Sequence, residues 1–125
     1  MGYSVVDPDA LEPTADYHCD RRPITGASGL MNLHLARYTM EPGEQLAREY
    51  HSHELREEAF YVLSGTLHVE TPEREYVVEA DSVFVAESDS PHRAYNPADA
   101  DEPVTVLGVG APRSDPAIPY DPDGQ

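Results

Sequence analysis

Through the middle of the chain, apolar residues recur at every second position in short runs separated by Gly, Pro, Asp and Ser. That period of two belongs to strands with one buried face; a helix repeats at 3.6. Leu30 to Met40 reads as a strand, with Met31, Leu33 and Leu35 on one face and His34 and Ala36 on the other, until Pro42-Gly43 breaks it. Leu46 to His53 and Ala59 to Leu63 follow, the second ending at Ser64-Gly65. Thr66 to Thr71, Glu75 to Val78, Ser82 to Ala86, His92 to Tyr95 and Pro103 to Gly110 complete the series. Many short strands joined by turn residues predict an all-β sandwich or barrel. Phe60, Val62, Val83, Val85, Val104 and Val106 are the expected core wall.

The run Glu54-Leu55-Arg56-Glu57-Glu58 admits two readings. On a helix, Glu54 and Glu58 would share a face and repel. As a loop or bulge between strands it sends Glu58 inward with Phe60 and Val62 and leaves Glu54, Arg56 and Glu57 in water. The second reading buries fewer charges and is preferred.

The ends lack this period. Residues 1–28 form an expected irregular arm or edge segment, 29–111 the barrel, and 112–125 a Pro- and Asp-rich tail. Pro112, Pro116, Pro119 and Pro122 predict an extended or coiled path for the tail. No repeat of solenoid length is present.

Composition narrows the partners. The chain has 125 residues, enough for one domain. Its 24 acidic residues against 8 basic ones give a formal charge of -16, and every basic residue is Arg. Such a surface repels nucleic acid and anionic bilayers. Acidity with no Lys at all points to a halophilic protein, kept soluble at high salt where screening is short-ranged. No apolar run approaches the ~20 residues needed to span a bilayer, and a cytoplasmic location is expected. Cys19 is the single cysteine, so an internal disulfide is excluded.

The chemistry is concentrated in histidines. In a strand, His51 and His53 of His51-Ser52-His53 point to one face and can converge on one ion. Glu58 and His92 supply an oxygen and a third imidazole nitrogen. This donor set suits one divalent transition metal, among Fe, Mn, Zn, Ni, Co and Cu. Three imidazoles and one carboxylate leave such an ion a net positive charge and open positions for water, oxygen or an anion.

The spacing resembles that of the cupin superfamily, small β-barrels of the jelly-roll class. Gly43, His51, His53, Glu58 and Gly65 match its first motif, although the gap from Gly43 to His51 is two residues longer than usual. In the second motif His92 and Asn96 match, with Pro91 nearby, while Asp81, Glu87 and Asp89 replace Gly, Pro and Gly. The resemblance implies a cupin-like double-stranded β-helix, metal ligation by His51, His53, Glu58 and His92, and a homodimer. Asn96 is expected to fix a turn or to support the ligands from behind, and His68 to join it if its side chain points inward. Arg37, Arg48 or Arg93, if turned to the cavity, would favour an anionic substrate. Tyr38, Tyr50, Tyr61, Tyr76 and Tyr95 offer apolar area and a hydroxyl.

Two kinds of function follow from the resemblance. One is a metal-dependent oxygenase or decarboxylase acting on a small polar or acidic organic molecule. The other is a noncatalytic small-molecule or metal-binding barrel with a structural metal. Neither calls for nucleic acid or membrane as partner.

Overall fold

A computed structural model describes residues 2–124. Ten strands run β1 (Asp20–Pro23), β2 (His34–Met40), β3 (His51–Ser52), β4 (Glu57–Ser64), β5 (Thr66–Glu70), β6 (Glu75–Glu79), β7 (Val83–Ala86), β8 (Arg93–Tyr95), β9 (Val104–Ala111) and β10 (Ile118–Pro119). One sheet has the order β1-β2-β9-β4-β7 and a second β6-β5-β8, all pairs antiparallel. The bridge His51↔His92 joins β8 to the short pair β3-β10, so the second layer continues as β6-β5-β8-β3-β10. Two facing antiparallel layers with crossed connections form the double-stranded β-helix expected from the sequence.

The core lies between the layers. Ala36, Tyr38, Met40, Phe60, Val62, Phe84, Val104 and Val106 point in from the larger sheet, and Leu67, Val69, Val78 and Ala94 from the other. Burying one such Val, Leu or Phe side chain stabilises the fold by on the order of 1.5–3 kcal/mol. The alternation of β4 is as read, with Glu58, Phe60 and Val62 inward. That of β7 is shifted by one: Phe84 and Ala86 are buried, while Val83 and Val85, expected in the core wall, are exposed on the outer face. A run of four apolar residues carries no alternation of its own, so only its partner β4 fixes the register.

Two further expectations need correction. The strand predicted from Leu30 begins at His34, and its inner face is the one carrying His34, Ala36, Tyr38 and Met40. From Leu46 to Tyr50 the backbone bends instead of forming a ladder, and only His51–Ser52 pairs regularly. Both ends also join the barrel: β1 edges the larger sheet, and β10 pairs with β3 despite Pro119. Pro is tolerated at that outer edge because no ladder partner lies beyond it among the described residues.

Turn geometry survives the acidic substitutions. Asp81 (φ 70°) and Asp89 (φ 60°) occupy the left-handed region that glycine favours. Asp is among the few residues that enter it at modest cost, since its short carboxylate bonds locally. Gly65 (φ 76°) has no such substitute: a Cβ there would lie 2.5 Å from the Pro103 carbonyl oxygen.

Candidate metal centre and cavity

The strand register assembles the site. On the inner face of the larger sheet, His34 pairs across Gly110 to Glu58, and Glu58 across to Ala86. The next row runs Ala36, Gly108, Phe60 and Phe84. Two glycines in adjacent rows leave a gap in the inner wall. A Cβ at Gly108 would come within 2.9 Å of the Tyr38 ring, so its absence is what admits that ring. Opposite, the His51↔His92 bridge brings two imidazoles from different strands side by side, with ring centroids 5.0 Å apart.

His51, Glu58 and His92 converge, with one ligand atom from each lying within 4.8 Å of the others. His92 Nε2 stands 3.0 Å and His51 Nε2 4.0 Å from Glu58 Oε1. His53 Nε2 is 3.9 Å from Glu58 Oε2, beside this group. Two rings are fixed from behind. His51 Nδ1 donates to the Glu49 carbonyl and His92 Nδ1 to the Ser90 carbonyl, each at 2.9 Å. In the neutral rings those bonds leave both Nε2 lone pairs turned towards Glu58. His92 Nε2 and Glu58 Oε1 are close but out of line for a hydrogen bond, and both are buried without a partner among the described residues, as is His53 Nδ1. An orphaned buried polar atom costs about 1–3 kcal/mol. A cation is the partner that imidazole lone pairs and a carboxylate can share, so the donor set fits one.

Charge inside the cluster follows from burial. Burial lowers the pKa of His51, with the neighbouring His92 adding to it, which keeps the ring in its ligating form. For Glu58 burial alone would raise the pKa; the close His92 ring and the fields of His53 and His51 outweigh it, and the carboxyl lies below its ordinary range.

A cavity of about 530 Å³ opens onto His51, His53 and Glu58, with His34, Tyr38, Arg21, Arg48, Arg56 and Arg113 among its lining. Another, of about 610 Å³, reaches His92 between β6 and β7. His34 Nε2 and the Tyr38 hydroxyl are hydrogen-bonded at 2.9 Å. Burial, then Arg21 and Arg56, pushes the His34 pKa down to about 4. Burial raises that of Tyr38.

Other residues singled out from the sequence lie elsewhere. His68 sits on the outer face of β5 with Glu75 3.3 Å away, turned from the cluster. Asn96 is buried and donates to the carbonyls of Met40 and Glu102, so it ties loops together without touching the ligands. Arg37 pairs with Asp9 at 2.8 Å and Arg93 with Glu70, leaving Arg48 as the one of the three arginines that lines the cavity. Cys19 is buried, and its thiol is pushed up to about 12 by burial and then by Glu44, which makes it a poor nucleophile.

Several cavity residues were not singled out from the sequence. Arg56, read as solvated, is half-buried, 3.7 Å from Glu58, and bonded to the Pro112 and Arg113 carbonyls. Asp115 accepts from the Leu55 and Arg56 amides and lies 3.7 Å from His53 Nδ1. Both depend on where the tail docks, which no local pattern encodes.

A cupin domain profile matches residues 36–110. The chain belongs to the cupin domain family. Comparison with curated proteins found no match. Among solved structures it is similar to a cupin-superfamily sugar phosphate isomerase from Silicibacter pomeroyi, with 22% identity, a TM-score of 0.81, and coverage of 94% of this chain and 82% of that one. The polyketide cyclase RemF from Streptomyces resistomycificus is 19% identical, with a TM-score of 0.77 over 95% and 86% of the two chains. A mutant of Bacillus subtilis oxalate decarboxylase is 21% identical, with a TM-score of 0.70 over 90% of this chain and 31% of that one. At these identities the likeness is one of fold.

Proposed function

We propose that this cupin holds one divalent transition metal on His51, His53, Glu58 and His92 and acts there on a small polar or acidic organic molecule, as an oxygenase or decarboxylase. One observation carries the reading: buried, unpartnered nitrogen and oxygen atoms converge at the head of a polar cavity. A bound divalent ion would supply Lewis acidity at that point. The protein's own groups have distinct tasks. The Glu49 and Ser90 carbonyls aim His51 and His92. Phe60 and Phe84, with ring centroids 5.8 and 6.0 Å from that of His92, keep water from the rear of the cluster. The Tyr38 hydroxyl, linked to His34, holds a proton within the cavity.

A noncatalytic binding barrel is the second reading. It is favoured by the position of the cluster, which takes His51 from β3, Glu58 from β4 and His92 beside β8, so an ion there would staple the two layers. Fe, Mn, Zn, Ni, Co and Cu all suit the donors. Metal analysis of protein prepared from its native host without chelator, followed by aerobic turnover screening, separates the readings. Glu58→Gln and His51→Ala are expected to lower metal occupancy in each case, and to lower turnover as well only if the protein is an enzyme. Full native metal affinity in a folded His51→Ala, His92→Ala variant would refute the ligand set.

The same proposal places the protein in a salt-rich cytoplasm as a homodimer. Exposed Tyr61, Leu63, Val83 and Val85 on the outer face of β4 and β7 support pairing with a second copy.

A further inference from the structure

The arginines of this acidic chain are distributed unevenly. Four of its 8 basic residues, Arg21, Arg48, Arg56 and Arg113, line the cavity that holds His51, His53 and Glu58. Outside it, Arg22, Arg37 and Arg93 are each paired with a carboxylate, and Arg74 stacks on Tyr76 with its guanidinium 4.4 Å from the ring centre. Inside it, only Arg56 is paired; Arg21, Arg48 and Arg113 have no carboxylate within 4.0 Å among the described residues. With 24 acidic side chains available, unpaired guanidiniums gathered at one opening are an arrangement that surface charge alone does not produce.

Two of them share one aromatic neighbour. Arg21 and Arg48 lie 5.4 and 5.5 Å from the centre of the same ring, that of Tyr17. Tyr17 is fixed by its hydroxyl, which donates to the Leu46 carbonyl at 2.8 Å, and Arg21 by a 2.9 Å bond to Thr14 Oγ1. Two cations stacked on one ring keep their charge and make its surroundings attractive to an anion. The local field agrees. Burial is the largest influence against protonation of His34; Arg21, Arg56 and Arg113 add to it and Glu58 opposes them, although the chain carries -16 overall. The acidic groups facing the same cavity are Glu49, Glu58 and Asp115. Glu58 faces the histidines and Arg56, and Asp115 is engaged by two amides.

We infer that Arg21 and Arg48, arranged around Tyr17, with Arg113 on the cavity wall, form a subsite for the oxyanion group of a small organic acid whose other end extends to His51 and Glu58. Guanidiniums present paired N–H donors that match carboxylate or phosphate oxygens. Uncharged polyols and cations are disfavoured. The orientation of the ligand rests on the metal-site reading; oxyanion binding does not.

Titration calorimetry at one fixed salt concentration tests this on chelator-treated protein, with succinate, ribose 5-phosphate and uncharged erythritol as probes. Binding of one or both acids but not of erythritol is expected, and the preferred acid identifies the oxyanion as carboxylate or phosphate. Arg21→Gln with Arg48→Gln should weaken it roughly tenfold or more. Arg21→Lys with Arg48→Lys should restore part of the affinity, and Arg74→Gln should leave it unchanged; circular dichroism melts establish that each variant is folded. No acid binding by the wild type at millimolar concentration, equal binding of erythritol, or equal acid binding by the folded Gln double variant would each overturn the subsite. Metal content separates the two ideas: the Gln double variant prepared without chelator should keep native metal while its acid binding falls.

Discussion

His34 is a half-buried imidazole whose only hydrogen-bonding partner among the described side chains is the Tyr38 hydroxyl. Its folded pKa of about 4 lies below the unfolded value near 6.5. Between those limits the unfolded chain carries a proton that the folded one refuses. The contribution is therefore intact above pH 6.5 and is lost as pH falls towards 4. His34→Gln should flatten the acid-side loss of stability, as read by urea denaturation of metal-free protein at roughly pH 5 and pH 7. Identical pH slopes for the two proteins would argue against it. Asp115 works on the other side of the cavity, 3.7 Å from His53 Nδ1. If His53 is a ligand, Asp115→Asn should weaken metal affinity by about tenfold through loss of its orientation. Competition with a chromogenic chelator measures this, and unchanged affinity would remove Asp115 from the site.

At the scale of elements, the turns decide how much variation the barrel accepts. Asp89 holds a left-handed turn from which its amide donates to the His53 carbonyl at 2.6 Å, and that bond survives any side chain. Asp89→Gly should relieve about 1 kcal/mol of backbone strain, less the added freedom of the unfolded chain, and raise Tm by up to a few degrees. Gly65→Ala should do the reverse by more than about 1 kcal/mol, because the new Cβ meets the Pro103 carbonyl; equal melting temperatures would contradict both expectations. These turns also mark what a sequence discloses. Glu58 could be placed because Phe60 and Val62 alternate with it in one strand, and His51 with His53 because they are two apart. Val83 and Val85 were misassigned because an uninterrupted apolar run has two possible faces. Arg56 reads as solvated, and Arg21 and Asp115 carry no local signal, because their positions depend on β1 and the tail meeting the barrel, contacts between segments far apart in the chain.

Across the whole molecule, charge and the apolar outer face of β4 and β7 act against each other. At -16 per chain, two copies repel, and added salt shortens that repulsion while leaving Tyr61, Leu63, Val83 and Val85 to associate. Light scattering after size exclusion should report a dimer at molar salt and a shift towards monomer at low salt; a monomer throughout would exclude the pairing. The pairing of β10 with β3 has another consequence, for handling the protein. Ile118 and Pro119 cover the strand that carries His51, and Tyr120 continues the contact by donating its amide to Tyr50. A chain clipped before Ile118 would leave an open strand edge beside the candidate metal ligands, a template for sticking to other chains. A polyhistidine tag placed on the C-terminal side of β10 would hang a competing metal trap close to that strand. Preparations tagged at opposite ends can therefore differ in metal content with no change in the protein's own affinity.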